Sequence, residues 1–528
     1  MNSLPTSSTV AQLSCLHHPA TTAESCDIGR LPTDTPPDDH ALPVPHRQTS
    51  FAQYPATNAT SGRCDTAPLT IHVLPYDVLL GIFGYYLSWK GSAWPSLVHV
   101  CQRWRNIVFG SVRHLKLQLY CIGGKPVRKM LDIWPPLSII LHHINPPSWD
   151  VDNIVAALEC NDRVRDIDLT GVARPQLQTI LAAMQVSFPV LTHLALMSDL
   201  LSTVVPVVPN SFLGGSAPSL RSLVLGRIPF PGLPNLLLST TNLVDLALYH
   251  VPNSGPISLE AMATCLSRLT RLNSLSLDFQ PTRLFPDRER RRPPRFVLPA
   301  LTRFSFRGVR GYLEDLVSRI DPPLLEDLDV VFHYEPMLET PQFAQFLSRI
   351  PKLETCKEVH VAFLSEMVIV QLCCPFSMVP RFFLMTTCMF HEQLSYLAEV
   401  CRTSLSPLLL LEHLCITDQS GVSRQQDPGD IEADQWLGIL GPFAAAKNLY
   451  LSKEIVPRIA PALRLVGEGL TPPVLSSLRC LFLEKPYPSG PVEDAIRKFI
   501  TARELSDRPI VIRDWDGLYW SSRGDVDD

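Results

Sequence analysis

The sequence predicts an α/β protein in which a small helical unit precedes a long series of short parallel strands with returning helices. Two observations predict this fold: a six-residue leucine pattern that recurs along most of the chain, and an almost wholly apolar segment at residues 74–87. A third observation sets a boundary, because a stretch rich in Pro, Ser and Thr changes abruptly to apolar sequence at Leu69. At 528 residues, the chain is long enough for several domains or one elongated one.

Composition and charge exclude several classes of function. An apolar fraction of 46% and a charged fraction of 18% are typical of a folded soluble protein. A net charge of −5 argues against nucleic acid as a partner, since such binding needs a clustered basic surface. The sequence has no uninterrupted apolar run of about 18 residues, so no membrane-spanning helix is predicted. The N-terminus lacks the features of a secretory signal, so we expect a cytoplasmic or nuclear protein with free, buried cysteines.

The chain divides into four segments. Residues 1–68 carry no periodic apolar pattern, cannot bury enough surface to offset the entropy of ordering, and are expected to be a disordered lead-in. Residues 69–113 form the helical unit, 114–515 the repeat region and 516–528 a flexible C-terminal tail.

The first helix of the unit is predicted in "LPYDVLLGIFGYYL", residues 74–87. Pro75 suits the first helical turn, where its missing N–H is not needed, and Asp77 complements the positive helix N-terminus. One apolar stripe has helical spacing and consists of Leu79, Ile82, Phe83 and Tyr86.

The second helical segment is "SLVHVCQRWRNIVFG", residues 96–110, where Gly110 is a plausible stop signal. One face of this segment carries Leu97, Val100, Cys101, Trp104 and Val108. A unit of about 40 residues buries little surface by itself. Its surplus of apolar side chains therefore indicates either a binding partner or packing against the downstream domain.

The two segments together resemble the F-box, a short motif that begins with Leu-Pro and ends near a Cys-x-x-Trp. The residues that match in order and spacing are Leu74, Pro75, Val78, Leu79, Ile82, Phe83, Val100, Cys101 and Trp104. The resemblance implies that these residues bind a Skp-type linker protein, which connects F-box proteins to a cullin-based ubiquitin ligase. Gly81 and Gly84 depart from the motif, and each costs about 1 kcal/mol relative to Ala in a helix.

The rest of the chain repeats the pattern L-x-x-L-x-L. Clear copies begin at residues 191, 220, 243, 272, 301, 325, 411 and 478, and weaker ones at 164, 356 and 446. From 164 to 325 the starts lie 27, 29, 23, 29, 29 and 24 residues apart. This period is similar to that of leucine-rich repeats, which predicts an irregular solenoid of one strand per repeat. Later spacings stretch, and a copy near 380, "PRFFLM", is degenerate or lost.

The residues between the apolar positions of each strand are expected on the opposite face of the sheet. The candidate target-binding residues on that face are Asp245, Tyr249, Asp278, Arg303, Arg307, Asp327 and Asp329, and the same stripe includes His193, Ser276 and His413. A surface of mixed charge with an aromatic residue suits recognition of a protein segment.

The sequence contains no catalytic motif that would indicate an enzyme. G-x-S-x-G, G-x-x-x-x-G-K-[ST] and H-E-x-x-H are all missing, and Cys388 and His391 alone are a weak zinc signal. We therefore expect no cofactor, no metal site, and a non-catalytic substrate-recruiting subunit of a ubiquitin ligase. The alternatives are a binding scaffold or repeat receptor that does not direct ubiquitination. The target is an unknown protein, and neither nucleic acid nor membrane is expected as a partner.

Overall fold

The computed structural model of the chain describes residues 71–89, 93–121, 127–142, 151–199, 206–252, 257–280, 295–333, 340–374, 380–389, 392–403, 411–420, 430–469, 474–485 and 489–516. The lead-in expected over residues 1–68 lies outside these residues, as does the expected tail apart from Asp516. Val73–Asp528 forms one compact unit, distinct from Met1–His72. No helix of the described chain is both long enough and apolar enough to cross a lipid bilayer.

The described residues of the helical unit form three α-helices: α1 (Tyr76–Trp89), α2 (Trp94–Val98) and α3 (Gln102–Gly110). The single helical segment expected over 96–110 is thus two helices, and the first of them begins at Trp94. Cys101 has an extended backbone, and its Sγ accepts a hydrogen bond from the Trp104 N–H at 3.5 Å. An N-cap of this kind has non-helical dihedral angles, so it separates α2 from α3.

Eighteen strands follow in the described chain: β1 (Gln118–Cys121), β2 (Ser138–His142), β3 (Val164–Val172), β4 (His193–Ser198), β5 (Ser222–Gly226), β6 (Asp245–Val251), β7 (Ser274–Phe279), β8 (Phe296–Val297), β9 (Arg303–Gly308), β10 (Ile320–Asp321), β11 (Asp327–Phe332), β12 (Glu358–Phe363), β13 (Met367–Cys373), β14 (Phe382–Thr387), β15 (His413–Asp418), β16 (Asn448–Leu451), β17 (Cys480–Glu484) and β18 (Val511–Trp515).

Helices lie between many of these strands: α4 (Val127–Ile133), α5 (Val151–Leu158), α6 (Arg174–Ala183), α7 (Leu233–Ser239), α8 (Leu259–Leu266), α9 (Arg310–Arg319), α10 (Pro341–Leu347), α11 (Gln393–Thr403), α12 (Asp430–Leu440), α13 (Val456–Gly467) and α14 (Pro491–Leu505). Short 3₁₀ helices occur at Ile71–Val73, Phe212–Gly215, Pro351–Thr355 and Gly441–Phe443. The predicted α/β class is therefore confirmed.

Sixteen of the described strands form one mostly parallel sheet, while β8 and β10 form a separate parallel pair. From β1 to β7 each strand pairs in parallel with the next along the chain, and the parallel order then continues from β7 to β9 and from β9 to β11. The leucines of the repeated pattern lie side by side in this sheet. One ladder runs through Leu194, Leu223, Leu246, Leu275, Phe304 and Leu328. All six are buried in one core together with residues of the flanking helices.

The order of strands reverses after β11. β14 pairs in parallel with β11, β13 lies antiparallel between β14 and β12, and β12 pairs in parallel with β15. The weak copies near 356 and 380 are both strands, so the second is not lost from the sheet. The leucine pattern did not predict the strand β13 between them. This strand follows β12 after a short turn at residues 364–366, because antiparallel strands need no helical crossover.

Candidate protein-binding surfaces

Helix α1 packs one apolar face into the core. Leu79, Phe83 and Leu87 are buried and follow the spacing i, i+4, i+8. The rings of Phe83 and Trp104 lie 4.7 Å apart, which ties α1 to α3. The Arg103 guanidinium of α3 also donates a hydrogen bond to the Leu74 carbonyl at 2.6 Å. These contacts fix the start of α1 against α3.

A second apolar face of α1 points to solvent. Val78 and Ile82 are each 44% exposed, Tyr85 is 69% exposed and Trp89 is 77% exposed. These four residues have the spacing i, i+4, i+7, i+11, which places them on one side of the helix. The Tyr85 and Trp89 rings lie 6.0 Å apart. We call these four residues the exposed stripe, and a contiguous apolar surface of this kind is typical of a protein-binding site.

The nine residues that resemble the F-box pattern therefore divide into three groups. Pro75, Val78, Ile82 and Val100 are exposed; Leu74, Cys101 and Trp104 are half-buried; Leu79 and Phe83 are fully buried. The stripe grouped from the sequence also divides, because Ile82 and Tyr86 are exposed whereas Leu79 and Phe83 belong to the core. Tyr85 and Trp89 were missed, although their spacing from Val78 is visible in the sequence.

The helical unit is attached to the start of the sheet through Trp94. Its indole N–H donates to the Gln118 carbonyl in β1 at 2.7 Å, and its ring lies edge-on to Trp134 at 4.9 Å. Trp94 itself is buried. The two explanations for the surplus apolar residues are thus compatible, since the unit packs on the downstream domain and still keeps an exposed stripe.

The second surface is the open face of the sheet, meaning the side chains that alternate with the buried ladder, such as Ala247, Ser276 and Ser305. The seven candidate target-binding residues lie on this face, on the neighbouring strands β6, β7, β9 and β11. Arg303 is exposed, and its neighbours in register are Ser274 and Asp327. Six of the seven are exposed or half-buried, and Asp278 alone is buried, at 5% exposure.

Several of these residues interact with polar or charged neighbours. Asp327 accepts a hydrogen bond from the Arg381 guanidinium at 2.8 Å, and the Ser305 hydroxyl lies 3.1 Å from Asp329 Oδ2. Burial raises the pKa of Asp245, an effect that the nearby Arg303 and His193 partly oppose. Arg381 precedes β14, so it reaches Asp327 only because β14 pairs with β11. The candidate surface therefore carries charges of both signs close to one another.

A cluster around Asp278 occupies the carboxyl ends of the strands, and we name it the Asp278 cluster. It consists of Asp278, Arg227, His250, Arg307 and His333. His250 Nδ1 lies 3.3 Å from Asp278 Oδ2. Burial lowers the pKa values of His250 and His333, and the negative charge of Asp278 opposes both shifts. Asp278 thus contributes the negative charge of this cluster, and as a buried residue it is poorly placed to contact a target directly.

His250 was not among the candidates because strand alternation assigns it to the core side. The structure brings it to Asp278 through a shift in the register of β6 and β7 after Leu248, where His250 adopts a left-handed φ of 50°. A non-glycine residue with a positive φ is uncommon, and the apolar pattern of the sequence does not predict it. The sequence signal was limited to a polar residue where an apolar one was expected.

The far end of the open face is aromatic. The Tyr450 and Phe482 rings stack at 4.2 Å, and the Trp515 ring lies 5.9 Å from Tyr450. The predicted stripe residue His413 stacks on Tyr450 at 6.4 Å, and its ring Nδ1 lies 3.1 Å from Asn448 Nδ2. Burial lowers the pKa of His413. The open face therefore changes from polar to aromatic along the sheet.

Within the described residues, no three His, Cys, Asp or Glu side chains converge as a metal ion would require. His391, half of the weak zinc signal, lies outside those residues, while Cys388 is buried. The two surfaces described above offer contact area, charge and hydrogen bonds. No model of a known protein family matches the chain, and no curated protein is significantly similar to it.

Proposed function

We propose that this protein is a substrate-recruiting adaptor of a cullin-type ubiquitin ligase. In this proposal the exposed stripe of α1, together with Pro75 and Val100, binds a Skp-type linker, and the open face of the sheet binds a protein target. The observation that carries the proposal is the second apolar face of α1, on a segment that resembles the F-box. An apolar surface that the described part of the chain leaves exposed is stabilised when a partner covers it.

The proposed architecture is a leucine-rich-repeat solenoid behind an F-box unit. The repeat spacing of 23 to 29 residues favours it, as does the pairing of successive strands in chain order up to β11. Each repeat leaves its apolar edge to be covered by the next one, which explains why the ladder residues are all buried.

The protein would contribute to ubiquitination by proximity. Holding a target near the charged conjugating enzyme replaces a bimolecular encounter with an intramolecular one, without catalytic groups on this chain. We accordingly propose a non-catalytic protein, acting in the cytoplasm or nucleus in ubiquitin-dependent degradation. Its partners would be the linker, the cullin and an unidentified protein target, with no role for nucleic acid or membrane.

The test replaces two residues of the exposed stripe while preserving the helix. Val78→Glu combined with Ile82→Lys makes an i, i+4 ion pair in the favourable order, so α1 is expected to stay folded. Capture of a purified Skp-type linker by the full-length variant should fall at least tenfold, because two apolar contacts would become charged. Capture is measured by a titrated pull-down, and helix content by circular dichroism.

The matched control is Leu505→Lys, which changes a helical leucine of α14 that is 85% exposed. This variant should capture the linker as well as the wild type does. The proposal fails if the wild type captures no linker, or if the double variant captures it normally. Capture of the linker without cullin would favour the alternative, a scaffold that does not direct ubiquitination.

A further inference from the structure

Two cysteines face each other at the open end of the β12–β13 hairpin. The Sγ atoms of Cys356 and Cys374 lie 3.4 Å apart. Cys356 lies two residues before β12, and Cys374 directly follows β13. Cys356 is buried, whereas Cys374 is half-buried and reachable from solvent. A disulfide needs sulfurs about 2 Å apart, so a closure of roughly 1.4 Å would join them.

The surroundings give the two thiols different roles. Burial raises the pKa of the Cys356 thiol, and the neighbouring Cys374 reinforces this shift, which keeps Cys356 protonated. The positive charge of Arg381 partly opposes this shift at Cys356. The Thr355 hydroxyl also lies 3.6 Å from the Cys374 sulfur, within hydrogen-bonding distance for sulfur. The more accessible Cys374 is thus the reactive partner, and Cys356 is placed to resolve its oxidised form.

We propose that Cys356 and Cys374 form a reversible disulfide in the presence of a peroxide. The Cys374 thiolate attacks one peroxide oxygen, the O–O bond breaks, and Cys374 becomes a sulfenic acid as water is released after proton uptake. The Cys356 sulfur then attacks the sulfenic sulfur, its thiol proton leaves with the hydroxyl group as a second water, and the S–S bond forms. Overall, two thiols lose two electrons and hydrogen peroxide is reduced to two waters. A thiol reductant restores both cysteines by exchange.

The bond would join the start of β12 to the end of β13. These strands belong to the part of the sheet where strand order reverses, and they pair from Glu358–Cys373 to Phe363–Val368. A covalent link at the open end of this hairpin removes fraying of its terminal pairs. Oxidation is therefore expected to slow amide hydrogen exchange in β12 and β13 relative to the reduced protein.

The experiment maps the bond in the full-length protein. Purified reduced protein is treated with equimolar hydrogen peroxide, blocked with N-ethylmaleimide, digested with trypsin and examined by mass spectrometry. Cleavage after Lys352, Lys357 and Arg381 places Cys356 in peptide 353–357, and both Cys373 and Cys374 in peptide 358–381. The expected product is the mass of the two peptides joined, which dithiothreitol removes. The thiol count of the denatured protein should fall by two.

Two serine variants identify the sulfur that reacts. Cys374→Ser should abolish the joined mass. Cys373→Ser should retain it, because Cys373 is buried and Cys374 is the residue whose sulfur contacts Cys356. The proposal is overturned if both peptides are recovered fully labelled with maleimide. It is equally overturned if the bond forms only within peptide 358–381, between the adjacent Cys373 and Cys374.

Discussion

The helical unit and the sheet are both rich in apolar residues, but they place those residues differently. In the sheet, alternate residues of each strand enter one core, and the ladder through Leu246 and Leu275 is buried. In α1, Leu79 and Phe83 enter the core, while Val78 and Ile82 next to them are nearly half exposed. A strand between two neighbours needs one apolar face. A helix with two apolar faces has one more than the described part of the chain covers. The difference separates side chains that stabilise the fold from side chains available to a partner.

The largest expected effect tests that separation directly. Leu246→Ala should lower the free energy of unfolding by about 3 kcal/mol, within the usual range of 2–5 for a buried leucine. Leu246 is 1% exposed and pairs with Leu223 and Leu275, so its removal leaves a cavity between adjacent strands. Urea unfolding followed by circular dichroism measures the change.

The corresponding variant of the helical unit is Ile82→Ala. Because Ile82 is 44% exposed and lies outside the buried core, the free energy of unfolding should change by about 0.5 kcal/mol or less. A loss comparable to that of Leu246→Ala would break the comparison, since it would mean that Ile82 is part of the packed core.

A second effect depends on histidines buried in the sheet. His360 is buried between Gln371 and Thr417, and burial lowers its pKa. Since the unfolded histidine binds a proton near pH 6.5 and the folded one resists it, stability should fall as the pH drops below about 6.5. Each unit of pKa difference corresponds to about 1.4 kcal/mol. Urea unfolding from pH 7.5 to 5.5 should show this loss.

His360→Gln is the variant that isolates this contribution. Its stability should depend less steeply on pH over the same interval, because the unfolded chain then has one fewer histidine to protonate. Parallel curves for the variant and the wild type would contradict the prediction. His142 acts in the opposite sense, because its hydrogen bond to Asp166 raises its pKa, so its stabilisation is lost as the pH rises through the raised value.

The last comparison is between two helical glycines. A Cβ added at Gly81 of α1 meets no atom within 4 Å, so Gly81→Ala should stabilise the protein by about 1 kcal/mol through helix propensity. At Gly467 of α13 the added Cβ would lie 2.9 Å from the Phe499 Cα of α14, and Gly467→Ala should destabilise. Thermal unfolding of both variants measures the difference. Equal changes in melting temperature would show that the two helices are packed alike.

The sequence by itself determined the α/β class and most of the regular strands. The leucine pattern predicts these strands because apolar residues alternate along each one, which indicates that one face is buried. The alternation recurs every 23 to 29 residues, so neighbouring strands bury the same face. It also determined that Asp245, Arg303, Asp327 and Asp329 share a face, since that follows from the same alternation. The sequence also indicated that residues 74–87 contain more apolar side chains than one buried face of a helix needs.

Only the tertiary structure decided how non-neighbouring segments meet. The reversed order of β12, β13 and β14 depends on which of these strands pairs with β11. Because β14 does so, Arg381 lies next to Asp327. The left-handed backbone of His250 turns it toward Asp278 against the alternation. Cys356 and Cys374 are 18 residues apart in sequence and meet through hairpin register. These contacts depend on pairing across the sheet, which local periodicity does not encode.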